Sequence, residues 1–179
     1  MALPRAVKLL LVAVSLLLVA FALDVATILY SFEHVDRVFA LAHTDTDTSM
    51  NGPVAEGFTY LAWMASLVIM GVSALLLVLA AAALLRRRWW GYPLTLVVMM
   101  PHAAFTACAL PTVGWRSRSS PSPQDHAPYY DPTVTPLVVQ IADVAMIPLG
   151  FVGAVGALVL LALPVTRRFQ REVERLNPG

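Results

Sequence analysis

The sequence predicts an all-α integral membrane fold: an antiparallel bundle of four transmembrane helices, with the first helix extended on the outer side. Three observations lead there. The chain of 179 residues is 59% apolar and only 13% charged, roughly half the charged share of a soluble domain. Four apolar runs, at about 6–30, 58–85, 92–113 and 136–163, each reach the ~20 residues that carry a helix across a bilayer core. The basic residues, eleven of the twelve being arginine, gather at alternate ends of those runs.

That gathering sets the orientation. Arg5 and Lys8 stand at the start of the first run, Arg86, Arg87 and Arg88 join the second to the third, and Arg167, Arg168, Arg171 and Arg175 follow the fourth. Nine basic residues fall on one side and three (Arg37, Arg116 and Arg118) on the other. With Glu172 and Glu174 the first side sums to +7, and seven acids bring the second to −4. The excess of arginine marks the cytoplasmic side, so both termini are expected there, in a single membrane domain with outer loops 31–57 and 114–135 and an inner tail 164–179. Trp89 and Trp90 suit the inner interface, and Tyr60, Trp63 and Trp115 the outer one. A chain rich in Ala, Val, Leu and Arg suggests a bacterial plasma membrane. Residues 1–22 also imitate a signal peptide, since Ala20-Phe21-Ala22 resembles a cleavage site. The apolar run continues to Tyr30, interrupted only by Asp24, which favours a retained anchor.

Beyond Tyr30 the helical period persists through Phe32, Val35, Phe39 and Ala42, with Glu33 and Arg37 spaced to pair. This is the basis for extending the first helix outward. Pro101 and Pro148 are expected to kink the third and fourth spans, freeing the carbonyls of Val97 and Val144. The second outer loop, with Ser-Pro-Ser-Pro and Ala-Pro-Tyr-Tyr-Asp-Pro, has no helical period. After the fourth span, the mix of Arg and Glu from Arg167 to Leu176 predicts a short surface helix, attractive to anionic headgroups. The one cysteine, Cys108, excludes an internal disulfide.

The first outer loop carries His43-Thr-Asp-Thr-Asp. Numbered from Asp45, a calcium loop would place Asp47 at position 3, Ser49 at 5 and Glu56 at 12, all oxygen-ligand positions. Position 6 requires glycine for the sharp turn, and Met50 stands there. A divalent cation held by Asp45, Asp47 and Glu56, with His43 as a softer ligand, is therefore weighed against a plain polar turn, and the broken motif favours the turn. No cofactor is predicted.

Three ionisable side chains fall inside spans, where burial is costly unless they are paired or face a cavity. Asp24 lies sixteen residues past Lys8, about 24 Å along a helix rising 1.5 Å per residue. His102 lies near mid-depth beside Pro101, where it could carry a proton, a metal or a haem iron. The plainer reading is a neutral imidazole bonded to a freed carbonyl or to a Ser/Thr on a neighbouring helix. Asp143, three residues after Gln140 and so on the same face, is placed near the outer headgroups. Small residues spaced by four, Gly150/Ala154, Gly153/Ala157 and Ala103/Ala107, permit close helix approach, within the bundle or against a partner such as a second copy.

No Walker loop, His-Glu-x-x-His, Cys-x-x-Cys or Rossmann glycine pattern occurs. Topology explains the arginine run, so nucleic-acid binding is not indicated. The expectation is a non-enzymatic accessory or interaction subunit in the lipid bilayer. The alternative is a proton- or metal-linked carrier or sensor using Asp24 and His102, with the acidic outer loop attracting cations. A membrane enzyme would have to draw on His34, Asp36, His43 and Asp45, whose spacing specifies no reaction.

Overall fold

The computed structural model describes residues 4–34, 51–113 and 135–176. Five helices account for nearly all of them: α1 (Arg5–Glu33), α2 (Asn51–Leu85), α3 (Gly91–Ala109), α4 (Leu137–Ala162) and α5 (Pro164–Leu176), with a 3-10 turn, Leu110–Thr112, after α3. Four are long and apolar enough to cross a membrane: Arg5–Glu33, Tyr60–Leu85, Gly91–Ala109 and Leu137–Ala162. An apolar environment for these helices is indicated by their many exposed Leu, Val, Ile and Phe side chains.

Proline sets most of the boundaries. Pro4 and Pro136 stand at the N-caps of α1 and α4 in extended conformation, and Pro53 lies in the first turn of α2, where a missing N–H breaks no bond. Pro164 holds the preceding Leu163 extended (φ −62°, ψ 139°), which stops α4 and starts α5. Pro111 opens the 3-10 turn, so the α-helical part of the third span ends at Ala109, short of the 113 that hydropathy suggests. Pro101 and Pro148 sit inside α3 and α4, which run on past them.

Two boundaries differ further from expectation. α2 begins at Asn51, about two turns before the predicted 58, so part of the expected loop is helix. At 35 residues α2 is ~52 Å long, well beyond a ~30 Å core. α1 ends at Glu33, capped by the His34 N–H on the Ser31 carbonyl. Its expected continuation through Val35, Phe39 and Ala42 lies outside the described residues.

Neighbours in sequence are neighbours in space. α1 packs on α2, α2 on α3 and α3 on α4, and α4 closes the ring on α1 through the most extensive interface of all. The α1–α4 approach is backbone to backbone. A Cβ placed on Gly153 would meet the Leu17 nitrogen at 2.8 Å and the Ala13 oxygen at 2.9 Å. Gly150 lies against Ala20 and Thr106, and Ala154 and Ala157 are fully buried beside them. The small-residue face of the fourth span is therefore filled by α1 of the same chain. Ala103 is buried and Ala107 exposed.

The α2–α3 hairpin turns through Arg87, which adopts φ 54°. Its neighbours complete a Schellman motif: the Arg88 N–H bonds the Ala83 oxygen at 2.7 Å and the Arg87 N–H bonds the Leu84 oxygen at 3.2 Å. Trp89 and Trp90 follow, both exposed, as an interfacial pair would be. At the opposite end Phe32 of α1 stacks with Tyr60 of α2 and meets Trp63 edge-on, ring centroids 5.6 and 5.2 Å apart. Tyr60 and Trp63, expected at the outer interface, thus join helices. Trp115 lies outside the described residues.

Candidate functional site

The side chains with chemical potential line the inward faces of the helices, in the half of the bundle away from the arginines. On α1, buried positions 10, 14, 17, 21, 28 and 31 alternate by three and four residues, with half-buried Asp24 filling the gap. On α4 the series is Asp143, Ile147, Gly150, Ala154 and Ala157. Such a 3.5-residue period keeps one face of each helix turned to its partner. Asp24 and Asp143 are members of these stripes, not additions to them.

Register follows from the glycines. Ala20 lies opposite Gly150 and Leu17 opposite Gly153. Seven residues further out on each antiparallel helix, Thr27 comes opposite Asp143, and both are buried, at 2% and 7% exposure. Asp143, expected near the outer headgroups, lies in the second turn of α4 and is enclosed between helices, because its stripe is the packing face of α4. Neither it nor Asp24 is without a partner. Thr27 donates to the Asp24 carbonyl at 2.8 Å and Ser31 to the Thr27 carbonyl at 2.8 Å. Gln140, half-buried, donates from Nε2 to the Thr135 carbonyl at 3.0 Å.

His102 projects from α3 toward α2. Its Nε2 lies 2.9 Å from the Ser73 Oγ, and its ring sits 4.7 Å from that of Phe21 on α1. The imidazole is therefore held by a hydroxyl on a neighbouring helix, the plainer of the two readings, and its ring bond goes to Ser73 rather than to Asp24. Thr106, one turn further out, returns its hydroxyl to the His102 carbonyl at 2.7 Å. Ser73 was not singled out in the sequence. The signal for it was its place in the α2 series Met70, Ser73, Leu77, Ala80, Leu84, whose other members are buried.

Toward the arginine end the same interior is largely apolar. Leu10, Val14, Leu17, Leu77, Leu84, Met99, Ala154 and Ala157 are all within 1% of complete burial. Thr95, also fully buried there, donates to the Gly91 carbonyl at 2.7 Å and is satisfied within its own helix. The polar stripe thus stops near the middle of the bundle, against close-packed apolar side chains.

Of the loop residues, His43, Asp45 and Asp47 lie outside the described residues, as do His34's neighbours from Val35 to Met50. Glu56 falls in the second turn of α2. Among the described residues no group of three His, Cys, Asp or Glu side chains is placed to hold a metal ion. No protein-family model, curated protein or solved structure matches the chain.

Proposed function

We propose that this is a non-enzymatic, multi-pass membrane protein that works as an accessory or interaction subunit, its arginine end in the bacterial cytoplasm. The observation that carries the reading is the closed lower half of the bundle. A carrier needs a polar route past the middle of the bundle, and among the described residues Leu17, Leu77, Leu84 and Met99 fill the interior there. The polar side chains above them are engaged in hydrogen bonds: Ser73 with His102 across α2 and α3, and Thr27, Ser31 and Thr106 with carbonyls of their own helices. Such groups specify which face of a helix turns inward, the role in which membrane polar residues serve as glue. What remains for function is the outward surface, above all that of α2, where Leu61, Met64, Val68, Val72 and Leu75 form an exposed apolar flank. The orientation rests on the excess of arginine at one end.

A second reading keeps one specific support: Asp24 and Asp143 both lie in the outer half of the stripes. A proton- or cation-responsive sensor open to the acidic side would use them, and Asp45, Asp47, Glu56 and His43 would draw the cation. Flux separates the two. Proteoliposomes loaded with a pH-sensitive or metal-sensitive dye should show no more flux than protein-free vesicles. Saturable flux lost in Asp24→Asn or His102→Gln would overturn the accessory reading and install the carrier.

A further inference from the structure

At the arginine end a cavity of about 430 Å³ opens between α3, α4 and α5. Its inner wall is apolar, formed by Leu96, Leu158 and Leu161. Its rim on α5 carries Arg167 and Arg171, four residues apart and so on one face of that helix. Glu174 also reaches the rim, but its Oε1 is engaged by Gln170 Nε2 at 3.0 Å, and the lining keeps a net charge of +1. Among the described residues neither arginine forms an ion pair, and both are exposed. Tyr92 completes the wall. It is 4% exposed, and its hydroxyl has no hydrogen-bond partner, a condition that buried polar groups rarely tolerate.

We propose that this cavity is a binding site for one anionic phospholipid. The headgroup phosphate lies between Arg167 and Arg171, whose guanidinium forks suit its oxygens. An acyl chain follows Leu96, Leu158 and Leu161 into the hydrocarbon. Three features choose this occupant over others. The net positive lining favours a lipid of net negative charge over a zwitterionic one. The apolar wall is continuous with the exposed faces of α3 and α4, which a soluble anion would leave uncovered. Tyr92 and Pro93 of its lining also follow closely in sequence on the exposed Trp89 and Trp90, a pair suited to the headgroup region. The site is independent of which compartment the arginine end faces, and of the reading proposed above.

The test is native mass spectrometry of the full chain released from vesicles of equal parts phosphatidylglycerol and phosphatidylcholine. The retained lipid should be phosphatidylglycerol, one per chain. Arg167→Gln with Arg171→Gln should lower its retention about tenfold or more, since two charge-assisted contacts are lost, while circular dichroism stays unchanged because both side chains are exposed. Arg86→Gln with Arg88→Gln, at the same end but off the cavity, should leave retention as in the parent. Equal retention of both lipids would overturn the proposal, as would an equal loss in the Arg86/Arg88 variant. Displacement of the lipid by excess inorganic phosphate would also overturn it, by making the site one for the free anion.

Discussion

Replacing Gly153 by alanine adds one methyl group at the tightest point of the α1–α4 interface. That Cβ would lie 2.8 Å from the Leu17 nitrogen, 2.9 Å from the Ala13 oxygen and 3.2 Å from the Leu17 Cβ. Two of the three atoms are backbone, so no rotamer change relieves the clash, and the helices must part by roughly 0.7 Å to restore ~3.5 Å contact. A gap of ~0.5–1 Å forfeits about a quarter to a half of each dispersion contact along the interface. Without a hydrophobic driving force between helices in lipid, those contacts are most of what holds α1 to α4. A loss of about 1–3 kcal/mol is expected, the range for overpacked cores, set against a gain of at most ~1 kcal/mol from alanine's helix propensity. Two controls isolate the effect. Gly71→Ala meets nothing within 4 Å, and Gly156→Ala meets only the Ala13 Cβ at 4.0 Å, so both should be neutral or slightly stabilising. Unfolding of all three in mixed micelles, followed by tryptophan fluorescence, gives the comparison. Equal stability of Gly153→Ala and Gly156→Ala would refute the α1–α4 register and every placement drawn from it, including that of Asp143.

Three further outcomes follow from particular contacts. A double-mutant cycle between Ser73→Ala and His102→Leu should show coupling of about 0.5–1.5 kcal/mol, the range for interhelical hydrogen bonds in membranes, whereas Asp24→Asn with His102→Leu should be additive within ~0.5 kcal/mol; the reverse pattern would restore the Asp24–His102 pair. Arg87, at φ 54°, should tolerate Gly but lose about 1–2 kcal/mol as Val, since a β-branched residue is penalised in the left-handed region; Arg88→Val should cost less in the same unfolding assay. In a Cys108→Ala background, Thr48→Cys and Ser120→Cys should react with a membrane-impermeant thiol reagent on intact cells and Gln170→Cys should not; labelling at Gln170 without permeabilisation would reverse the orientation.

The number of spans was legible because length and hydropathy are local properties, and lipid demands both. Which face of each span turns inward was harder to read. In a soluble helix the polar side marks solvent, but here lipid and core are equally apolar, and Leu17 inside looks like Val19 outside. The informative residues were the few that lipid would reject. Asp24, Thr27 and Ser31 on α1, Ser73 on α2, His102 and Thr106 on α3 and Asp143 on α4 all lie on the buried stripes, so a heptad drawn through them would have found the packing faces. Reading Asp143 by depth alone missed this, although Gly150, Ala154 and Ala157 continue its stripe. Gly153 and Gly150 announced close approach, but only the fold names the partners, α1 at Gly153 and both α1 and Thr106 of α3 at Gly150. The cavity at the arginine end was invisible for a different reason: its lining comes from α3, α4 and α5, and nothing local to Tyr92 or Arg171 points to the other.

The account stands or falls on the dry lower half of the bundle. Cysteines substituted one at a time at Leu17 and Met99, which are 1% and 0% exposed, can be challenged with a small water-soluble thiol reagent applied to both sides of the membrane in the Cys108→Ala background. The account requires both positions to stay unreacted while Gln170→Cys, on α5, is modified to completion. Modification of Leu17→Cys or Met99→Cys at a rate approaching that of Gln170→Cys would reveal water below mid-depth and contradict it.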